Sequence, residues 1–129
     1  WMCDIGCVFL DRANIKSAIK SMNDGAEHIS VGCSMAICPE GTRGHEEEMK
    51  PFKDGSLKIA TKANAPIVPV AVIGTDDCLE NNPGLKLTKG TLTVAYGKPI
   101  YLEELSPEDK KHLGAYTQQF VKELYEANK

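Results

Sequence analysis

The chain has 129 residues, 42% hydrophobic and 26% charged, with 15 basic against 18 acidic side chains and a formal charge of −3. This composition suits one folded domain and excludes a disordered tail, a disulfide-stapled miniprotein and the diffuse basic footprint of a nucleic-acid binder. The longest apolar stretch, around Ile67 to Ile73, is far short of the roughly 20 residues that cross a bilayer.

The chain opens Trp1-Met2-Cys3-Asp4 with no initiator Met, charged leader or apolar leader, so it reads as a segment of a longer protein. Ile5 to Leu10 is an apolar run ending at Asp11-Arg12, the pattern of a buried strand. Asn14 then caps a helix whose Ile15, Ala18, Ile19 and Met22 share one face and which Asn23-Asp24-Gly25 closes. Ser34 to Cys38 is a second short strand stopped by Pro39, and a turn-rich, charged loop follows from Glu40 to Asp54.

Gly55 to Asn64 forms a second amphipathic helix with Leu57, Ala60 and Ala63 on one face. Ile67 to Ile73 has the continuous apolar character of a strand covered on both sides, interrupted by Pro69. Gly74 to Thr88 reads as a long loop, and Thr91 to Tyr96 alternates Leu92, Val94 and Tyr96 against Thr91, Thr93 and Ala95, a strand with two unlike faces. Ser106 caps a terminal helix with Pro107 at its first position, acids in its first turn, and a stripe of Leu113, Tyr116, Phe120 and Leu124.

Strand and helix alternate, which predicts an α/β fold with a mostly parallel, mixed sheet flanked by helices. Ligands gather at the carboxyl ends of such strands. Arg12 and Arg43, the only two arginines, lie just beyond the first and second predicted strands, while 13 lysines are scattered elsewhere. A guanidinium grips phosphate or carboxylate through two parallel hydrogen bonds, so this edge is predicted to bind an anion. Gly41 suits a tight turn between Glu40 and Thr42, and Glu40 can accept from a substrate hydroxyl or hold an arginine. The alternative is a surface turn carrying an Arg–Glu pair of little energetic consequence. The five cysteines, Cys3, Cys7, Cys33, Cys38 and Cys78, follow no paired zinc spacing, and reduced, buried thiols without a metal are expected.

Gly6-Cys7-Val8-Phe9-Leu10-Asp11-Arg12 resembles the second conserved block of the glycerolipid acyltransferases, the family of bacterial 1-acylglycerol-3-phosphate acyltransferases. Ile37-Cys38-Pro39-Glu40-Gly41-Thr42-Arg43 is similar to their third block, Phe-Pro-Glu-Gly-Thr-Arg, with Cys38 where Phe is usual. Pro51-Phe52-Lys53-Asp54-Gly55 and Ala65-Pro66-Ile67-Val68-Pro69-Val70 resemble later segments, the last being the fourth block. These pieces follow in family order between Gly6 and Val72, and their conjunction is more specific than any one of them.

The resemblance implies transfer of a fatty acyl group from a thioester of coenzyme A or acyl carrier protein to the free hydroxyl of lysophosphatidate. It further implies no other cofactor and no metal. The second and third blocks bind the glycerol phosphate in that family, which implicates Arg12, Glu40, Gly41, Thr42 and Arg43, with Lys53 a further phosphate candidate and Pro69 shaping the acyl or acceptor pocket. The family's general base is a His followed four residues later by Asp. Here His28, His45 and His112 are followed at that offset by Gly32, Met49 and Tyr116. The expectation is therefore that residues 1–129 form the carboxyl-terminal portion of one acyltransferase domain. It would be soluble and inactive alone, within a parent that works at the cytoplasmic face of a membrane. Two alternatives stay open: a non-catalytic module binding anionic lipid or phosphate, and an acyltransferase acting on glycerol 3-phosphate or another lysophospholipid.

Overall fold

The computed structural model describes residues 2, 4–9, 13–42 and 49–129. Helix α1 (Ile15–Ser30) begins where expected, with Asn14 Oδ1 accepting from Ser17 N at 3.2 Å. It does not stop at Asn23-Asp24-Gly25. Gly25 is buried, and a Cβ there would stand 3.3 Å from Met35 Cε and 3.5 Å from Ile59 Cδ1, so the bare backbone lets α1 lie close to both. Packing thus carries the helix through a turn-like tripeptide. The stop comes at Val31-Gly32, where Gly32 (φ +97°) donates to Ile29 O and Cys33 to His28 O, both at 3.0 Å, a Schellman motif. The predicted apolar face also shifts: Ile15 and Ile19 are exposed, and Ser21 and Gly25 are buried.

Helix α2 (Asp54–Ala63) matches its predicted span to within a residue, buries Leu57 and Ala60, and ends at Asn64 in the left-handed region (φ 47°). It packs on α1.

The sheet differs from the expected one. Strands β1 (Val70–Ile73) and β2 (Thr93–Tyr96) pair antiparallel, with Val70 opposite Tyr96 and Ile73 opposite Thr93. An antiparallel bridge between Ile67 and Ile100 extends the pairing. Two residues, 68 and 69, then face three, 97 to 99, which is a bulge. Pro69, with no N–H to offer, sits at that interruption and accepts from Gly97 N at 2.8 Å.

Among the described residues the sheet has two antiparallel strands, and neither Ile5–Phe9 nor Ser34–Cys38 joins it, so the mostly parallel order is not found there. A strand exists only against a partner edge, and those two runs meet none within these residues. Nor is β1 covered on both sides. Ile67, Pro69 and Ala71 are buried, whereas Val68, Val70 and Val72 are exposed together with Val94 and Tyr96 of β2.

The loop predicted from Gly74 to Thr88 contains a single helical turn, α3 (Thr75–Cys78), and a 3-10 turn at Pro83–Leu85. Thr88 ties it back on itself, its N–H donating to Cys78 O at 2.9 Å and its Oγ1 to Asp77 O at 3.1 Å.

The terminal helix is two pieces, α4 (Pro107–Lys111) and α5 (Leu113–Asn128), separated at His112 (φ −114°, ψ 41°). Ser106 Oγ caps α4 by accepting from Asp109 N at 3.1 Å. The face that α5 buries is Leu113, Gly114, Thr117 and Val121, with Tyr116 at its margin and Phe120 exposed. That face lies on α2 and on both strands. The core joins Leu57 and Ala60 of α2 to Ile67, Ile100, Leu102 and Leu113, with Leu105 and Tyr116 packed against it.

The thiols are less buried than expected. Cys33 and Cys38 are exposed and Cys7 and Cys78 half-buried, all four free, while Cys3 lies outside the described residues. Among the described residues no helix is long and apolar enough to cross a membrane.

Candidate functional site

The centre of the third block is a tight turn. Gly41 N–H donates to Cys38 O at 3.1 Å across Pro39 and Glu40, and Gly41 takes a φ of +71°. Proline presets the backbone at the second position of such a turn, and glycine tolerates the left-handed angle where the chain leaves it. The sequence Cys-Pro-Glu-Gly therefore folds this way for local reasons.

Beyond the turn the chain is held by contacts between residues far apart in sequence. Glu40 Oε2 accepts from Lys50 N at 3.0 Å, and Pro39 O accepts from Lys53 N at 3.0 Å. The turn is thereby joined to residues 50 and 53 at the entry to α2. Residues 49 and 50 are fastened to α5: Gln118 Nε2 donates to Lys50 O at 2.9 Å and to Met49 O at 3.4 Å. One helical turn earlier, Gly114 N–H donates to Asp54 Oδ1 at 2.7 Å. A carboxylate at the start of α2 thus satisfies an unpaired donor at the start of α5.

Beside the turn opens a cavity of about 810 Å³. Its apolar wall includes Val8, Met22, Met35, Ile37 and Ile59, and Gly41, Lys53 and Ser56 bring the turn and the start of α2 into the same space. Ser21, buried on α1, also lines it and donates to Phe9 O at 2.6 Å. A largely apolar hollow whose lining also holds Ser21, His28, Ser34, Lys53 and Ser56 suits a ligand that joins a hydrocarbon body to polar groups.

The sequence-predicted residues divide into three groups. Gly41 and Lys53 line this cavity, with Glu40 in the turn beside Gly41 and Thr42 exposed just after it. Pro69 is elsewhere. It is buried in the sheet next to Gly97, where a Cβ would stand 3.5 Å from the proline ring and 3.0 Å from Leu124 of α5, and it does not line the cavity. Arg12 and Arg43 lie outside the described residues, as do Asp11 and His45. Among the described residues no group of three His, Cys, Asp or Glu side chains is placed to hold a metal ion.

Sequence reasoning missed Asp54 and Gln118 as parts of this region. Asp54 carried a partial signal, since it belongs to the Pro-Phe-Lys-Asp-Gly segment. Gln118 carried none, being a polar residue in an amphipathic helix 68 residues from the carbonyl that it holds.

The acyltransferase family profile matches residues 1–73. A probable 1-acyl-sn-glycerol-3-phosphate acyltransferase of Mycoplasma genitalium is 38% identical over 82 residues, covering 64% of this chain and 31% of that protein. The 1-acyl-sn-glycerol-3-phosphate acyltransferase of Saccharomyces cerevisiae is 35% identical over 106 residues, 80% of this chain and 35% of that one. Among solved structures, the 1-acyl-sn-glycerophosphate acyltransferase PlsC of Thermotoga maritima superposes with a TM-score of 0.72 at 26% identity, over 88% of this chain and 49% of that chain. The chain spans about a third of the length of these curated relatives and about half of that structure.

Proposed function

Because the chain belongs to the acyltransferase family, we propose that the protein carrying it transfers a fatty acyl group to the free hydroxyl of 1-acylglycerol 3-phosphate, giving phosphatidate in phospholipid synthesis. The donor in this reading is an acyl thioester of coenzyme A or of acyl carrier protein, with no further cofactor. The observation that carries the proposal is the cavity in which Gly41 of the Cys-Pro-Glu-Gly turn and Lys53 meet an apolar wall, since the acceptor joins a phosphate to a hydrocarbon chain. Arg12 and Arg43 are proposed to grip the phosphate, with Lys53 adding a point charge and Glu40, Gly41 and Thr42 shaping the turn beside it. Pro69 acts at a distance, by setting the bulge against which α5 packs. Acceptor and product are both lipids, so the proposal includes work at the cytoplasmic face of a membrane.

The hydroxyl must lose a proton as it attacks the thioester carbonyl, and the thiol leaves carrying one. These 129 residues contain no His followed four positions later by Asp. General-base help contributes about 10²- to 10⁴-fold, so the segment by itself is proposed to hold acceptor without measurable transfer.

The test measures transfer from acyl-CoA and from acyl carrier protein in the full-length protein. Arg43→Ala is expected to raise KM for lysophosphatidate by about 10- to 100-fold, as loss of a charge-assisted pair of hydrogen bonds predicts, with little change for the donor. Equal loss for both substrates removes Arg43 from the phosphate site, and robust turnover by the 129-residue segment refutes the assignment of the base to residues outside it. Glycerol 3-phosphate and other lysophospholipids in the same assay decide the acceptor. One second reading is a module that binds anionic lipid without catalysis. Lysophosphatidate binding by the full-length protein with no transfer from either donor would establish it.

A further inference from the structure

We propose that Gln118, on α5, is a positioning residue for the acceptor-phosphate site, acting through the backbone of Lys50 on the carboxylate of Glu40. The inference rests on the reading of the third-block turn as part of that site.

The linkage is continuous. Gln118 Nε2 donates to Lys50 O at 2.9 Å, and Lys50 N–H donates to Glu40 Oε2 at 3.0 Å. Lys50 therefore has its carbonyl held from α5 and its amide engaged by the third-block acid. Gln118 Nε2 also donates to Met49 O at 3.4 Å. Glu40 has three side-chain torsions, and a backbone donor 10 residues away fixes its carboxylate only if that donor is itself fixed. Residues 43 to 48, Arg43 among them, lie in sequence between Glu40 and the two carbonyls that Gln118 holds.

Gln118 is dispensable to the docking of α5, which separates this role from a merely structural one. The helix is seated by the burial of Leu113, Thr117 and Val121 and by the Gly114–Asp54 hydrogen bond, none of which uses the Gln118 amide. Gln118 itself is only half-buried. Its removal loosens Lys50 and Glu40 while leaving α5 on the sheet.

The test uses the full-length protein with Gln118→Met, which keeps the shape and removes the donors, and Gln118→Lys, which restores a donor. Gln118→Met is expected to raise KM for lysophosphatidate by about 5- to 10-fold, the ratio carried by one lost hydrogen bond, with KM for the acyl donor changed less than about twofold. Gln118→Lys is expected to recover most of that loss. The proposal is overturned if the acceptor KM of Gln118→Met stays within about twofold, if both KM values rise together, or if Gln118→Lys is as impaired as Gln118→Met.

Amide exchange gives a readout independent of turnover: the Lys50 N–H exchanges faster in Gln118→Met while the Gly114 N–H keeps its protection. Unchanged Lys50 exchange overturns the proposal whatever the kinetics. If the unaltered protein uses lysophosphatidate and monoacylglycerol equally well, the phosphate-site reading fails and takes this role with it. Lys50 exchange then reports separately whether the linkage exists. Should Gln118→Met unfold, Gln118→Ala, which removes the donors without setting a charge against the two carbonyls, replaces it in both measurements, with the same outcomes expected and the same outcomes overturning the proposal.

Discussion

Substituting Gly114 by alanine sets two physical rules against each other. Helix propensity favours alanine over glycine by at most about 1 kcal/mol, and less at the second position of a helix. Packing opposes it. A Cβ on Gly114 would stand 2.7 Å from Asp54 Oδ1, 2.7 Å from Phe52 O and 3.3 Å from Asp54 N. Two of those three atoms are backbone and cannot rotate aside, so α5 must withdraw from the start of α2. Withdrawal stretches the 2.7 Å bond from Gly114 N–H to Asp54 Oδ1 and pulls Leu113 from the core. Overpacking costs about 1–3 kcal/mol and loss of a hydrogen bond to a charged group about 1.5–3, partly the same energy counted twice. Allowing for the propensity gain, the net destabilisation is about 2–3 kcal/mol. For a chain of this size each kcal/mol is worth about 3–6 °C, so Tm is expected to fall by roughly 6–18 °C. Urea denaturation of the full-length protein beside Asp54→Ala and the double variant supplies the second measurement. The two sites share one bond, so the double variant should lose distinctly less than the two single losses added together. A Gly114→Ala variant as stable as the parent, or stabler, would refute the reasoning, since propensity would then have outweighed the close approach.

Gly25→Ala makes the opposite case, because its Cβ would meet the flexible end of Met35 at 3.3 Å and not backbone, so stability is expected to stay within about 1 kcal/mol by thermal denaturation. Gly32→Ala meets no atom within 4 Å but keeps a φ of +97°, and a loss of about 1–2 kcal/mol in urea is expected from backbone strain alone. Under native conditions iodoacetamide should label the exposed Cys33 and Cys38 before the half-buried Cys7 and Cys78, followed by peptide mass spectrometry. Faster labelling of Cys78 than of Cys33 would contradict the burial described.

Four features were legible in the residue order alone: the Asn14 and Ser106 caps, the span of α2 and the turn that ends at Gly41. Each is closed by bonds reaching three or four residues along the chain, such as Ser17 N to Asn14 Oδ1 and Gly41 N to Cys38 O, so neighbouring residue types suffice to specify it. The family, too, was legible from short blocks in order.

Other features needed the assembled molecule. The antiparallel pairing of Val70–Ile73 with Thr93–Tyr96 depends on which edge meets which, and apolar alternation is the same for either direction. The helix through Asn23-Asp24-Gly25 depends on Met35 and Ile59 lying where a side chain at Gly25 would crowd them. Phe120 is apolar yet exposed, because the docking angle of α5 turns Thr117 and Val121 inward instead. Gln118 reached the site only through the fold. A hydrogen bond spanning 68 residues leaves no periodicity, spacing or composition to read, and arises when two surfaces already held by a core come within reach.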